Sequence, residues 1–485
     1  NYPIIPPAQP AGACGPSSDG RNRTRQNRRR RKTTVDQMRT LETIAILVCL
    51  FLSEAAKGDD VKSFLNWAPT PPMGWNSWDC YGAAVTEAQT KANADYMAEN
   101  LAKHGWQYVV VDIQWYEPDA KGWEYRPGAK LEMDGNGRLL PAVNRFPSAA
   151  DAGGFRSLAD YVHNKGLKFG VHILRGIPRQ AVAANTPVLG MNVRAADIVD
   201  TSSTCRWNSD MYGVDVAKPG GQEYYDSIFA QFAEWGVDFV KVDDLSRPYH
   251  QAEIAAIRRA IDNSGRAIVF STSPGPTRLD RAADIAANAN MWRISDDFWD
   301  NWGALKAQFQ RCADWAPFNG DGHYPDADML PLGAIRTSRR SHTHFTKDEQ
   351  HTLMTLWSIC RSPLIFGGDL PQTDEFTLSL LTNDEVLAVD QHSSGGRQLF
   401  RNGDLIAWTA DADGSSDKYL AVFNARDEPD DRAATVSISL KEVGFDGSCK
   451  VRDLWKARDV GVFTKTFEPL VAPHGAGLYR VSLER

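Results

Sequence analysis

The stretch "QEYYDSIFAQFAEWGVDFVKVDD", Gln222 to Asp244, holds the unit from which most of this chain is built. It reads as a helix through Trp235, a stop at Gly236, and a strand in "VDFVKVDD". Glycine ends a helix by taking the left-handed conformation. The strand is a continuous apolar run rather than an alternating one, which marks a parallel sheet covered on both faces. Charge gathers at its far end, in Lys241, Asp243 and Asp244.

The same helix–glycine–strand unit recurs on either side. Upstream, Thr86 is placed to cap a helix over Glu87–Lys103, Gly105 stops it, and Tyr108–Asp112 follows as a strand inside "QYVVVDIQWYEP". Ser157 is placed to cap "LADYVHNK", Gly166 stops it, and "LKFGVHIL" is the next strand. Downstream, "AEIAAIRRAIDNS" leads through Gly265 to "AIVFSTS". "NMWRISDD", "YPDADML", "RSPLIFGGDL" and, at the front, "PPMGWNSW" bring the strands to about eight. This predicts a (β/α)8 TIM barrel over residues 67–391, a fold that typically takes roughly 250 residues or more. A doubly wound sheet is the rival architecture. From His392 the texture changes to short strands parted by Asp, Gly and Ser, with two-residue alternation in "ATVSISL" and "GLYRVSL". Residues 392–485 are expected to form an antiparallel β-sandwich domain.

The first residues differ from this body. Residues 1–37 include "GRNRTRQNRRRRKTT", a basic block with no apolar period, and read as a disordered basic extension. Met38 and Arg39 then precede "TIAILVCLFLSEAA", and residues 38–55 read as a secretory signal peptide cleaved near Ala55. The run is short for a membrane span, and no later stretch is apolar enough for one. The expected location is therefore secreted, extracellular or the lumen of the endomembrane system. The whole chain carries a formal charge of −7; residues 1–55 hold nine basic and four acidic residues, so the body without them stands at −12. So acidic a body argues against nucleic acid as a partner. Nothing in the sequence specifies an oligomeric state. Cys80, Cys205, Cys312, Cys360 and Cys449 are scattered, without a Cys-x-x-Cys pair, which argues against a structural zinc site and leaves room for one or two bridges.

Active sites of such barrels lie at the C-terminal ends of the strands. Asp112 ends one strand here. Lys241, Asp243 and Asp244 end another, and Arg293, Asp296 and Asp297 a third; Asp326, Asp328 and Asp369 follow the last two. Alternation puts Asp112, Lys241, Asp243, Arg293 and Asp297 on the inward face, and Ile113 opposite Asp112. A purely structural ion-pair network is the plain alternative, but burying so much charge is costly without a task. Hard metal ions rarely take Lys and Arg among their ligands. There is no His-x-His at an early strand end, and His342 and His344 in "SHTHF" lie outside the strand pattern. No Gly-x-Ser-x-Gly elbow and no Gly-rich phosphate loop is present, so neither metal nor cofactor is expected. Two carboxylates flanking a substrate are what glycoside hydrolysis uses. Lys241 would keep Asp243 ionised, and Asp297 would have to begin protonated.

The motifs "PPMGWNSW", "DGNGRLLPAVNRFP", "GLKFG", "KVD", "WRISDD", "DADML", "DEQHTLMTLWSICRSPLIFGGDL" and "APHGAGLYRVSL" resemble, in order, those of glycoside hydrolase family 27, the α-galactosidases and their relatives. The resemblance runs from about Ala68 to Leu483. It implies a barrel followed by an antiparallel β domain, a carbohydrate substrate and a retaining mechanism through a covalent glycosyl-enzyme. It implies Asp243 as nucleophile and Asp297, four residues after Arg293, as acid/base. It further implies Trp78 as the aromatic against the sugar, and Asp112 as the first of two aspartates that hold sugar hydroxyls. Four positions depart from the family pattern. Ile113 stands at the second aspartate, Ser273 at a glutamate, His172 at a tyrosine, and Asp244-Leu245 where a bridging cysteine is usual. Together with "DIQW", "HILRGIPRQAV" and "SPGP", these departures resemble the subgroup that includes β-L-arabinopyranosidases. The expected function is an exo-glycosidase acting on terminal α-D-galactopyranosyl or β-L-arabinopyranosyl residues, with Trp78, Asp112, Ile113, His172, Lys241, Ser273 and Arg293 binding substrate. A catalytically silent carbohydrate-binding protein on the same scaffold is the alternative, and loss of Asp243 or Asp297 would have favoured it.

Overall fold

Eight short parallel strands form the centre of the computed structural model, which describes residues 63–427 and 432–484. The basic block and the segment from Met38 to Ala55 lie outside the described residues. In chain order the strands are β1 (Met73–Asn76), β2 (Tyr108–Val111), β3 (Lys168–Leu174), β4 (Phe239–Asp243), β5 (Val269–Thr272), β6 (Met291–Arg293), β7 (Tyr324–Asp326) and β8 (Leu364–Phe366). Each pairs in parallel with its sequence neighbour from β1 to β6, β7 pairs with β6, and β8 returns beside β1. A parallel bridge between Leu330, just beyond β7, and Phe366 of β8 closes the ring. The result is a TIM-type barrel, not the doubly wound sheet.

Alternation sorts the side chains of this ring. Tyr108, Val110, Phe239, Val269, Met291, Tyr324 and Ile365 fill the interior as one apolar cluster. Val109, Val111, Val240, Val242 and Trp292 join the larger core beneath the helices. Gly74 is required at the β1–β2 contact, because a Cβ there would lie 2.5 Å from the carbonyl oxygen of Tyr108. Gly236 follows the helix Gly221–Trp235 at φ +82°, the left-handed cap read from the sequence.

Two helix expectations are corrected. Thr86 does cap its helix, through a reciprocal bond with Gln89, but the α-helix runs only over Glu87–Tyr96 and continues as a wider turn over Met97–Leu101 and a tight one over Ala102–His104. Ser157 is not a cap: the helix begins one residue earlier, at Arg156, with Phe155 before it and no capping side chain. There, burial of Leu158, Ala159 and Val162 sets the start rather than a polar cap.

Between β3 and β4 the chain makes an excursion. Ile177–Pro178, Val199–Thr204 and Met211–Val214 form a small antiparallel sheet with the last of these in the middle. Beyond the barrel, β9 (Ser393–Asn402), β10 (Leu405–Ala412), β11 (Lys418–Asn424), β12 (Cys449–Asp453), β13 (Arg458–Phe463) and β14 (Ala476–Leu483) form an antiparallel sheet in the order β9-β10-β11-β14-β12-β13. Two short strand pairs, Ala434–Thr435 with Leu470–Val471 and Ile438–Ser439 with Thr466–Phe467, supply the second layer of this sandwich. Val436, Ile438, Phe467, Leu420 and Val422 pack between the layers. The other face of the sheet joins the core of the barrel helices, and Phe423 meets Phe309 edge-on at 4.9 Å. No helix among the described residues is long and apolar enough to cross a membrane. The five cysteines beyond residue 62 are free thiols.

Candidate active site

The strands deliver their terminal charges to one mouth. A cavity of about 650 Å³ opens there, lined by Trp78, Asp79, Asp112, Ile113, Lys241, Asp243, Ser273, Arg293, Asp297 and Asp328 among others. Its size and mixed lining suit a small polar ligand.

Asp112 answers for the charge at the end of β2. Its carboxylate accepts from Nδ2 of Asn76 at 2.7 Å and from Nζ of Lys241 at 2.9 Å, and the backbone N–H of Ile113 donates to it at 2.9 Å. Asp112 is almost fully buried, and so is Asp243. Burial works against an ionised Asp243. The close approach of His172, the positive charge of Lys241 and the nearby Ser273 outweigh it, and the carboxyl sits below its ordinary value. His172 Nε2 lies 2.9 Å from Asp243 Oδ2. The two residues come together because β3 and β4 pair side by side, with His172 opposite Lys241 and Leu174 opposite Asp243.

Arg293 is the second organising cation. Burial works against its charged form, but Asp328, Asp297, Asp326 and Asp243 surround it and raise its guanidinium above the ordinary value. Its guanidinium holds Asp328 at 2.8 Å and Asp297 at 3.3 Å, and reaches Ser273 Oγ at 3.5 Å. Asp297 has more than half of its side chain exposed, at 58%, so it stands toward the open side of the cavity rather than on the buried inner face. Alternation fails here because β6 ends at Arg293, and the three residues between it and Asp297 follow a loop.

Three further placements differ from the sequence expectation. Ile113 lines the cavity beside Asp112, although alternation put it on the opposite face; β2 ends at Val111, and the period of two ends with it. His172 is fully buried and does not line the cavity; it reaches it only through Asp243. Asp79 and Asp328 line the cavity and were not among the inward residues expected. Burial raises the carboxyl of Asp79 well above its usual range, helped by Asp328. Asp328 is likewise pushed up, to about 7, by burial against the opposing pull of Arg293. Asp328 could have been suspected from "DADML", where it follows Asp326 by two. Asp79 gave no signal, sitting in a short helix after β1.

Asp244, next to Asp243, also lines the cavity, but its carboxylate is engaged elsewhere. Its backbone is left-handed at φ +64°, and its carboxylate meets Arg175 at 3.0 Å. Trp78 and Tyr125 stack at 6.0 Å with an interplanar angle of 11°, and form an apolar wall beside the carboxylates. Such a wall packs well against the C–H face of a sugar.

A family model described as alpha galactosidase A matches residues 70–217 and 209–392, and one described as the alpha galactosidase C-terminal beta sandwich domain matches residues 402–481. The chain is 28% identical over 452 residues to alpha-galactosidase 2 of Arabidopsis thaliana, covering 91% of this chain and 98% of that one. It is 27% identical over 423 residues to human alpha-galactosidase A, covering 80% and 82%. A solved structure of a family 27 β-L-arabinopyranosidase from Geobacillus stearothermophilus superposes with a TM-score of 0.85 at 55% identity, covering 87% of this chain and 98% of that one. The chain is a glycoside hydrolase and belongs to glycoside hydrolase family 27, the α-galactosidase family.

Proposed function

We propose that this enzyme is a retaining exo-glycosidase that releases terminal β-L-arabinopyranosyl residues, α-D-galactopyranosyl residues or both through a covalent glycosyl-aspartate. The observation that carries the reading is the pair of unlike carboxyl groups at one cavity: Asp243, buried and kept ionised, and Asp297, more exposed and held by Arg293. An oxygen of Asp243 attacks the anomeric carbon while Asp297 gives its proton to the departing glycosidic oxygen. Asp297 then takes a proton from water, whose oxygen attacks the same carbon. Asp243 leaves as carboxylate, and the sugar is released with its original configuration. On this reading Asp112 and Lys241 hold ring hydroxyls at the buried end, Trp78 packs on the ring face, and Ser273 and Arg293 fix the two carboxylates.

Ile113 supports the pentose. A β-L-arabinopyranoside presents the ring hydroxyls of an α-D-galactoside without the exocyclic hydroxymethyl group. An alkyl side chain at the cavity wall offers that hydroxyl no partner, and leaving it unpaired costs about 1–3 kcal/mol. The Geobacillus relative, which carries the arabinopyranosidase name, agrees with this direction. Paired kcat/KM measurements on aryl β-L-arabinopyranoside and aryl α-D-galactopyranoside, with NMR of the first-formed anomer, test both parts. Retention and turnover of at least one of the two are expected; inversion would remove the covalent intermediate. The short apolar segment before Ala55 supports export of this enzyme, and the N-terminal sequence of the secreted protein checks it.

A further inference from the structure

The excursion between β3 and β4 carries a feature that hydrolysis of the terminal sugar does not use. Its strands Val199–Thr204 and Met211–Val214 are joined by a turn bearing Arg206 and Trp207, and both residues line the cavity. Trp207 is 36% exposed, a large indole left partly in water at the rim. The turn beneath it is anchored. Asn208 accepts from the backbone N–H of Asp210 at 2.7 Å, and the buried Asp210 carboxylate accepts from Gln114 Nε2 at 2.6 Å and Tyr116 Oη at 3.2 Å. A ring held this firmly loses little freedom when a ligand stacks on it. Trp207 also extends the wall of the site, meeting Tyr125 at 5.4 Å, and Tyr125 in turn stacks on Trp78. The line of rings runs outward from beside the buried carboxylates to the rim. Arg206 makes no ion pair among the described residues, in contrast to Arg247, also on the cavity lining, which is paired with Asp296.

We propose that Trp207 and Arg206 form a binding site for a second sugar ring, the one on the leaving-group side of the cleaved bond. The proposal rests on the glycosidase reading above. Exposure rises from Asp112 and Asp243 to Asp297, so the released sugar occupies the deep end, and whatever Asp297 protonates lies toward the rim. A sugar ring there presents its C–H face to the indole, and its hydroxyls accept from the Arg206 guanidinium. The substrate class is then a glycoside whose leaving group is itself a pyranose, such as the end of an oligosaccharide or a polysaccharide branch.

The test compares kcat/KM on a disaccharide with that on the methyl glycoside of the same terminal sugar, in the wild type, Trp207→Ala, Trp207→Phe and Arg206→Ala. Trp207→Ala is expected to lower the disaccharide-to-methyl ratio about tenfold. Trp207→Phe should recover part of it, and Arg206→Ala should lower it several-fold. A ratio within about twofold of the wild type in Trp207→Ala, or an equal fall on both substrates, overturns the second-ring site. Failure of the wild type to cleave any of these glycosides would instead refute the reading on which the site rests.

Discussion

Asp243 shows how neighbours decide chemistry at the scale of one residue. Burial favours its neutral form, and only the groups beside it, His172, Lys241 and Ser273, keep it ionised. Asp243→Asn is expected to lower kcat by at least three orders of magnitude while leaving the circular dichroism and melting temperature close to wild type, because it removes a nucleophile rather than a packing group. A variant retaining a substantial fraction of activity would assign the attack elsewhere. His172 acts on the same carboxylate from behind. In His172→Phe the ring volume is largely kept, but burial of Asp243 is then opposed only by Lys241 and Ser273. Its carboxyl should rise, a smaller fraction should be ionised at any acidic pH, and the acidic limb of the kcat/KM profile should move to higher pH. An unmoved limb would show that His172 merely fills space. Ile113→Asp should shift the kcat/KM ratio toward the α-D-galactoside by about ten- to a hundred-fold, the worth of one buried hydroxyl partner. An unchanged ratio would reduce Ile113 to packing.

At the scale of elements, the strands place charge by ending. β4 carries Lys241 and Asp243 inward on a period of two, and this face was legible because both lie inside the strand. β2 and β6 stop one and four residues before Asp112 and Asp297, so the period held for Asp112 by continuation but not for Ile113 or Asp297. The contact between β1 and β2 leaves no room for a side chain at Gly74. Gly74→Ala forces a methyl group against the Tyr108 backbone, which cannot swing aside as a flexible side chain can. We expect a loss of about 1–3 kcal/mol in chemical denaturation, or more, with a fall in activity as β2 and Asp112 are displaced. Wild-type stability in this variant would mean the barrel gives more easily than its packing suggests.

At the scale of the whole molecule, the β-sandwich shares a core with the barrel rather than hanging from it. The helices Trp302–Trp315 and Lys347–Cys360 face the sheet, Phe309 packs on Phe423, and Trp302 stacks on His474 at 3.7 Å. A shared apolar core predicts one cooperative unfolding transition for barrel and sandwich together. Phe423→Ala should lower that single transition, at a cost of about 3–5 kcal/mol, even though it lies far from the cavity. Two resolved transitions in calorimetry, with only one moved by the substitution, would show the domains to be independent.

The barrel, the sandwich after it and the strand-end carboxylates were legible in the chain because they follow from local signals: apolar runs, helix-stopping glycines and charge within a strand. The resemblance of its motifs to family 27 added the roles proposed for Asp243 and Asp297. Where a residue points once its strand has ended came from the packing of the whole fold. It placed Ile113 on the cavity wall, His172 behind Asp243, Asp79 and Asp328 among the lining residues, and Trp207 at the rim. Those placements depend on loops and on pairing between segments far apart in the chain, where neither the period of two nor composition carries information.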